Sequence, residues 1–315
     1  MSNRQASTAG AAPASSPRRA APKQRPRWRS VKWAPYLFVL PNMALFGAFT
    51  IYPALNAFNL SLYSSSDGRR FTYVGTGNYS QILSSEEFWS VARATVIFVV
   101  ATVVLTTVAA TALAIALNAQ RRGKGLLRAA YFVPFLVSPV VVGLIWRLAL
   151  ERQNGLVNTV LDAIGLGQPG WLLEPRLTLG VIVLVGLWIQ LGFYTLIISA
   201  GLQGIDSSVY EAATMDGATW WQQLKSITLP LLLPTMLVVI VLSTIHAFQA
   251  FDYIYTLSGG GPLGATTLIV QYIYETSFQS PIQFGLAAAA TVILFLVVFS
   301  ATLINYMAGR RREAV

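Results

Sequence analysis

The stretch EAATMDGATWWQQLKSITLPLLLP, residues 211–234, interrupts a chain that is otherwise mostly apolar. The residues before it, 177–202, and those from 229 to 250 are almost entirely apolar and long enough to cross a lipid bilayer. The interruption carries acidic side chains, a glycine and two neighbouring tryptophans. Its place between two hydrophobic segments predicts a loop at the membrane surface, and its composition decides what that loop can contact.

The composition excludes a soluble globular protein. Hydrophobic residues make up 55% of the 315 residues, charged residues only 11%, and the mean hydropathy is +0.58. The net charge of +10 does not predict a nucleic-acid partner, because the basic residues flank hydrophobic segments instead of alternating with exposed aromatic ones. The chain has no cysteine and a single histidine, so neither a metal site nor a Ser-His-Asp triad is expected. We therefore expect a membrane protein without catalytic residues.

Continuous apolar runs predict an all-α integral membrane protein, because the strands of a β-barrel would show strict alternation. Six runs are long enough to span a bilayer as helices. The third is the weakest, because Arg147 lies near its end and must reach outward to the lipid headgroups. The six predicted spans cover residues 33–55, 95–117, 131–150, 177–202, 229–250 and 285–306.

The lysines and arginines predict the orientation in a cell membrane. Of the 22, 16 lie on the side of the N-terminus, so both termini are expected in the cytoplasm, as in a multi-pass inner-membrane protein. Three segments then face outward and form a docking rim: 64–90, 151–176 and 252–284. The predicted parts are a disordered cytoplasmic tail (1–30), a six-helix domain (31–309) with a cytoplasmic loop (203–229), and a C-terminal tail (310–315).

The interrupting stretch predicts two short helices joined by a turn. Ser208 and Glu211 have the spacing of a capping box and predict a helix over 209–216. Gly217 supplies the freedom to turn, and 218–228 can form a second helix before Pro230 begins the next span. The product is a helix-turn-helix elbow. It could lie on the lipid headgroups through its tryptophans or dock onto a protein, and its acidic side chains favour the protein.

The same residues resemble a known signature. Glu211-Ala212-Ala213, then Asp216-Gly217-Ala218, then Leu229-Pro230 are similar to the EAA motif of permease subunits in binding-protein-dependent ABC importers. Leu224 stands where that family more often has phenylalanine. In the family this loop is a coupling helix that fits a cleft of a cytoplasmic ATPase. The resemblance implies an ATPase-coupling role for Glu211, Ala212, Ala213, Asp216, Gly217, Ala218 and Leu224.

Two further stretches narrow the resemblance. FDYIYTLSGGGP, residues 251–262, and VGTGNY, residues 74–79, are similar to segments of the maltose-type first permease subunit. The family implies a six-transmembrane-helix type I ABC importer permease fold that carries a sugar. It also implies a second permease subunit in a heterodimer, two ATPase subunits that bind ATP and Mg²⁺, and an extracytoplasmic sugar-binding protein. No cofactor is expected on this chain itself, and lipid surrounds its spans.

Polar residues within the fourth and fifth spans are candidates for the solute path. Gln190 and Tyr194 are one helical turn apart and share a face. Ordinary hydrogen bonding between helices would use the same residue types and is the alternative. A stand-alone ion-coupled carrier is the competing function, but such a carrier needs ionisable groups within its spans. The predicted path residues are Gln190, Tyr194, His246, Phe248, Gln249 and Asp252.

Overall fold

The computed structural model describes residues 33–119 and 124–313, which are mostly helical. The chain divides into two compact units, Met1–Pro53 and Ala54–Val315. In the first unit, helix α1 (Ala34–Phe46) continues into a π-helical turn, Gly47–Ile51. With α2 (Tyr52–Leu60) it forms an apolar helical path that matches the first predicted span. The expected tail at 1–30 lies outside the described residues.

Four long helices match four more of the predicted spans. They are long and apolar enough to cross a membrane, each carrying a window of at most two charged residues. Three of them are longer than the apolar run that predicts them, because these helices extend beyond the hydrocarbon region, and α11 is two residues shorter than its run. These helices are α4 (Glu86–Ala119), α8 (Pro175–Gln203), α11 (Leu229–Phe248) and α14 (Phe284–Glu313).

The third predicted span, 131–150, is wrong as a single helix. It is broken into α5 (Lys124–Leu136) and α6 (Pro139–Ala149), which meet at 96°. Ser138 lies at the break with ψ of 127°, an extended value. The ring of Pro139 explains this geometry, because a residue that precedes proline clashes with it in the helical region. The described chain therefore has five candidate spans that are each one helical path, and one bent pair.

The second unit is built around α4, which packs along α8 and α11, while α14 packs against α11. Ala110 and Ala114 of α4 are fully buried beside Ile198 and Leu232. Small residues let helix backbones approach closely, which matters in lipid because the hydrophobic effect does not drive helices together there. Close packing between these helices thus fixes the positions of α8 and α11 on either side of the elbow.

The three segments predicted as outer loops contain more regular structure than expected. The first holds a hairpin of β1 (Tyr63–Ser64) and β2 (Thr72–Tyr73), followed by α3 (Gly77–Ser84). The second holds α7 (Leu156–Ala163). The third holds α12 (Asp252–Leu257) and α13 (Ile269–Phe278). The short apolar stripes of these elements pack onto the bundle and were too brief to stand out in the sequence.

The VGTGNY stretch has a structural purpose in the first of these segments. Asn78 is buried, and its amide donates to the backbone oxygens of Ser61 at 2.7 Å and Tyr63 at 2.9 Å. The hydroxyls of Tyr79 and Ser61 share a further hydrogen bond of 2.7 Å. Buried backbone oxygens need such partners. The asparagine and tyrosine therefore tie the hairpin to α3.

The C-terminal tail predicted at 310–315 is helical as far as the structure describes it. Helix α14 continues without a break to Glu313. The basic residues 310–312 that suggested a tail extend the helix beyond the apolar run. A change in charge thus marks where the span leaves the lipid and does not mark the end of the helix.

Candidate functional site

The elbow begins with helix α9 (Ser207–Met215), two residues before the predicted start. Its N-cap is Asp206, whose carboxylate accepts from the backbone N–H of Ser208 at 2.9 Å. The predicted capping box of Ser208 and Glu211 is therefore wrong, because aspartate earlier in the chain already satisfies the free amide. The same hydrogen bond holds the pKa of the Asp206 carboxyl below its usual range. Glu211 is left free to face solvent on α9.

Gly217 makes the turn, as predicted. Its φ is +76°, and its N–H donates to the Thr214 oxygen at 3.1 Å while the Ala218 N–H donates to the Ala213 oxygen at 2.9 Å. These two bonds form a Schellman motif, which ends a helix with a residue in the left-handed region. The motif explains a glycine at 217, because glycine adopts this backbone conformation without a steric cost.

The second helix of the elbow starts later than predicted. Helix α10 (Trp220–Gln223) is capped by Thr219 and Gln222, whose side chains form a complete capping box. A π-helical turn, Leu224–Thr228, then leads directly into α11. Pro230 lies in the first turn of α11, as predicted, and Trp220–Phe248 is one continuous helical path. Pro230 has no N–H to donate, and the π turn before it accommodates a residue that lacks this backbone hydrogen bond.

The elbow presents a mixed acidic and apolar surface. Glu211, Ala212 and Asp216 are exposed, whereas Ala213, Ala218 and Leu224 are half-buried within the elbow. Leu224 belongs to the π turn. The largest apolar side chains that face solvent are Met215 at 88%, Trp220 at 64% and Trp221 at 64% exposure.

Met215 was not among the predicted coupling residues. It is the last residue of α9 and stands immediately before the Schellman turn. The sequence signal that could have identified it is the glycine two positions later, because the end of a surface helix leaves its last side chains uncovered. A flexible, exposed methionine adapts to an irregular partner surface. Exposed apolar residues beside a polar rim are typical of a protein interface.

On α8 and α11 the structure brings two predicted path residues together. The Tyr194 hydroxyl lies 2.8 Å from His246 Nδ1, and their rings are 6.3 Å apart at the centroids. Tyr194 itself is fully buried, so it cannot touch a solute directly in this conformation. It is better described as a positioning residue for His246, which is exposed. The place of both residues in the solute path stays a prediction.

The other predicted path residues divide into two groups. Gln249 and Asp252 are exposed at the end of α11 and the start of α12. Gln190 is half-buried, and its side-chain oxygen is buried without a hydrogen-bond partner in the described chain. Phe248 is packed into the main hydrophobic cluster with 7% exposure, and its place in the path stays a prediction. Phe248 lies one helical turn after Thr244, which is also buried, so both side chains are on the face of α11 that packs against the bundle.

A set of four aromatic rings lies next to these residues and was not foreseen. The Phe251 ring lies 5.2 Å from the rings of both Tyr255 and Tyr274, and Tyr274 lies 5.4 Å from Phe278. The rings join α12 to α13. Residues 251 and 274 are far apart in the chain, and no pattern in the sequence predicts that their rings are in contact. Among the residues that the structure describes, no group of histidine, aspartate and glutamate could hold a metal ion.

Comparison with known proteins decides what this arrangement belongs to. Residues 106–313 match the model of the binding-protein-dependent transport system inner membrane component. This chain is a member of that family. The matched region contains the elbow and both helices that flank it. The chain is therefore an inner-membrane transport subunit and not an enzyme, which confirms the resemblance seen in the sequence and sets aside the ion-coupled carrier.

Two relatives align over nearly the whole chain. The trehalose/maltose transport system permease protein MalF of Thermococcus litoralis is 36% identical over 279 residues, 88% of this chain and 94% of that protein. The lactose transport system permease protein LacF of Rhizobium radiobacter is 34% identical over 283 residues, again covering 88% and 94%. Both are permeases of the kind that the sequence resembles.

Solved structures agree in fold. A chain of a bacterial ABC transporter involved in the import of the acidic polysaccharide alginate superposes with a TM-score of 0.78, at 25% identity, over 89% of this chain and 96% of that one. A chain of the alginate transporter in complex with a pentasaccharide-bound periplasmic protein gives 0.79 at 25% identity, over 89% and 94%. The type I ABC importer permease fold predicted from the sequence is confirmed.

Proposed function

We propose that this subunit forms one half of the path for a sugar in an ABC importer. It would pair with a second permease subunit, and each permease elbow would engage one of two cytoplasmic ATPase subunits, which bind ATP and Mg²⁺. A sugar-loaded extracytoplasmic binding protein would dock on the outer segments. Relatives named for trehalose, maltose and lactose support the solute class, and a neighbour in complex with a periplasmic protein supports the delivery route.

The observation that carries the proposal is the continuity of the elbow with α11. The exposed indoles of α10 and the exposed imidazole of His246 belong to one helical path. Trp220 and His246 are 26 positions apart, which corresponds to about 39 Å along a helix axis. A displacement of the elbow by the ATPase therefore moves the polar residues of α11 without an intervening flexible loop. Rigid-body motion of this kind is a recognised form of conformational switching.

The electrostatics favour an ATPase over lipid as the partner of the elbow. Asp206, Glu211 and Asp216 are exposed on it, and Lys225 is the cation that accompanies them in the π turn. Anionic headgroups would repel such a surface, whereas a basic cleft of a protein would attract it. The coupling residues are Glu211, Ala212, Ala213, Asp216, Gly217, Ala218 and Leu224, as the sequence indicated, with Met215 added.

A neutral sugar suits the residues of the path better than a phosphorylated one. Residues 177–203 of α8 and 229–248 of α11 contain no lysine or arginine. Phosphate recognition normally uses arginine or lysine. The imidazole of His246 and the amides of Gln190 and Gln249 instead offer donors and acceptors for hydroxyl groups. The Gln190 oxygen is the strongest candidate acceptor in this set, because a buried acceptor without a hydrogen bond is costly.

The orientation follows from the elbow. If the elbow meets a cytoplasmic ATPase, then both termini and the stretch between α4 and α5 lie in the cytoplasm, since an even number of spans separates them. The excess of lysine and arginine on that side agrees with this assignment. The segments with the hairpin, α7 and α12–α13 then face outward, where a binding protein could reach them.

The test is purification of the tagged subunit from its native membrane, with identification of every stoichiometric partner. We expect an ATPase and a sister permease. Glu211→Lys should remove the ATPase and keep the sister permease, because it reverses a charge only on the elbow. Glu174→Lys, an equally exposed acidic position before α8, is the matched control and should keep both. Retention of the ATPase by Glu211→Lys would refute the role of the acidic elbow surface.

The solute is tested separately in proteoliposomes that hold the whole complex. We expect ATP-dependent uptake of a neutral sugar in the presence of its binding protein. Gln249→Leu should change uptake or sugar preference without changing assembly, because its exposed amide is lost while the helix remains. Unchanged uptake of every sugar tested would reduce Gln249 to a helix-end residue.

A further inference from the structure

A basic cleft lies where α6 ends and α8 begins. It has a volume of about 590 Å³ and is lined by Arg147, Arg152 and Trp171, among others. Both arginines are exposed, and in the described chain neither guanidinium makes a hydrogen bond or an ion pair. Glu151 also lines the cleft, so two cations face one carboxylate. Among the residues that line it, the cleft therefore keeps one net positive charge.

The walls of the cleft are held rigidly by Asn158 of α7. This asparagine is fully buried, and its amide donates to the backbone oxygens of Arg152 at 3.0 Å and Pro169 at 3.1 Å. Its side-chain oxygen accepts from the Trp171 indole N–H at 2.7 Å. One side chain thus fixes both edges of the cleft. A pre-formed arrangement of this kind lowers the entropy cost of binding a ligand.

An apolar groove adjoins the cleft and shares Leu150 and Trp171 with it. The groove has a volume of about 280 Å³ and runs along α8 to Trp188, whose indole meets that of Trp146 edge to face at 5.8 Å. Trp188 is 13 positions after the start of α8, which corresponds to about 20 Å along its axis. All the side chains that line the groove are aliphatic or tryptophan. It therefore extends from the cationic cleft into the depth of the span.

We propose that the cleft and groove together bind one anionic phospholipid. Its phosphate would lie between Arg147 and Arg152, because guanidinium groups match the oxygens of a phosphate in charge and geometry. An acyl chain would fill the groove that runs from Trp171 to the Trp146–Trp188 pair. Trp171 lies in the cleft just before α8 begins, and tryptophans at this level are typical of the lipid interface. Each half of the site is thus matched by one half of the lipid.

Two other occupants fit less well. A sugar would stack on the tryptophans, but the groove offers no polar side chain to its hydroxyls, and unpaired hydroxyls are unfavourable in an apolar site. An acidic side chain of a docked binding protein would satisfy the arginines but would leave the apolar groove open. A phospholipid satisfies both surfaces at once.

The test uses the full chain with its co-purifying subunits, stripped of lipid in detergent and then given phosphatidylglycerol or phosphatidylethanolamine with identical acyl chains. Native mass spectrometry counts the lipid that is retained. We expect wild type to retain phosphatidylglycerol about ten- to thirtyfold better, since two arginines contribute to the headgroup. Arg147→Gln combined with Arg152→Gln should abolish the preference. Arg176→Gln, an exposed arginine outside the cleft, should preserve it.

A separate substitution tests the apolar groove. Trp188→Ala should weaken retention of both lipids equally, because it removes contact with the acyl chain and leaves the arginines in place. Each variant must elute as the intact complex in size-exclusion chromatography. Equal retention of the two lipids by wild type, or an undiminished preference in the double arginine variant, would overturn the proposal. Loss of binding-protein affinity in the double variant with unchanged lipid retention would assign the arginines to the receptor and would also overturn it.

Discussion

The turn at Gly217 gives the sharpest test of the coupling mechanism. Its φ of +76° lies in the left-handed region, and a Cβ added there meets nothing within 4 Å. A substitution therefore changes only the backbone preference of the turn and creates no clash with the rest of the chain. The membrane-spanning bundle should insert and pack normally in every variant. Any loss of transport then reports on the shape of the elbow.

The magnitude follows from the backbone conformation. An ordinary L-residue in the left-handed region costs about 1–2 kcal/mol, and asparagine costs less because its side chain tolerates this region. A change of that size alters the ratio of two conformations by about five- to thirtyfold. We expect Gly217→Ala to lower the coupled uptake by that factor, Gly217→Val to lower it further because valine is β-branched, and Gly217→Asn to stay near wild type.

The assay is sugar uptake and ATP hydrolysis by the complete transporter in proteoliposomes. Uptake per ATP hydrolysed should fall in the order glycine, asparagine, alanine, valine. Gly125→Ala is the matched control, because it adds the same methyl group in open space on α5 at an ordinary backbone φ. It should leave the uptake unchanged.

Two results would refute this reasoning. If the alanine and valine variants transport like wild type, then the left-handed turn is not needed for coupling. If the asparagine variant fails as completely as the valine variant, then the position is sensitive to any side chain, and contact with a partner outweighs backbone conformation there.

Other predictions address the bundle, the path and the helix cap. Gly143→Ala places a methyl group against the Thr256 hydroxyl and 2.6 Å from the backbone oxygen of Tyr253, so α6 and α12 must separate at a cost of about 1–3 kcal/mol, seen as a lower unfolding temperature in detergent. Tyr194→Phe removes the hydroxyl that holds His246 and should raise the KM for uptake roughly two- to tenfold, with assembly unchanged. The lowered pKa of Asp206 means that its charged cap stabilises α9 at neutral pH and that this stabilisation is lost as the pH falls through the lowered pKa. Amide exchange of α9 should accelerate in acid in wild type relative to Asp206→Asn, whose amide caps without titrating.

The sequence was sufficient for the place of five membrane segments, because each of these is a long uninterrupted apolar run. It was also sufficient for the turn at Gly217, because a glycine between two polar helical stretches indicates a helix end. It misplaced the cap of α9, because Asp206 and Ser208 are both good N-caps and only the backbone geometry separates them. It also missed the break before Pro139, since the apolar composition is the same on both sides.

The solute path was the least predictable part. Tyr194 and His246 are 52 residues apart, and nothing in either helix alone shows that their polar atoms meet. Whether a residue near the end of a span faces inward depends on the packing angle of the neighbouring helix, which is a property of the assembled bundle. Phe248 and Gln249 are adjacent in the chain, and yet one is buried and the other exposed.

The contact at Gly143 has a consequence for engineering. The Thr256 hydroxyl also donates to the Val140 oxygen at 3.2 Å, so α12 is fastened to the second half of the broken span. A chimaera that exchanges residues 251–262 for those of another permease would replace Thr256 and leave the Val140 oxygen facing a foreign side chain. Successful grafts should therefore transfer residues 139–149 and 251–262 together, as a single cassette from one parent.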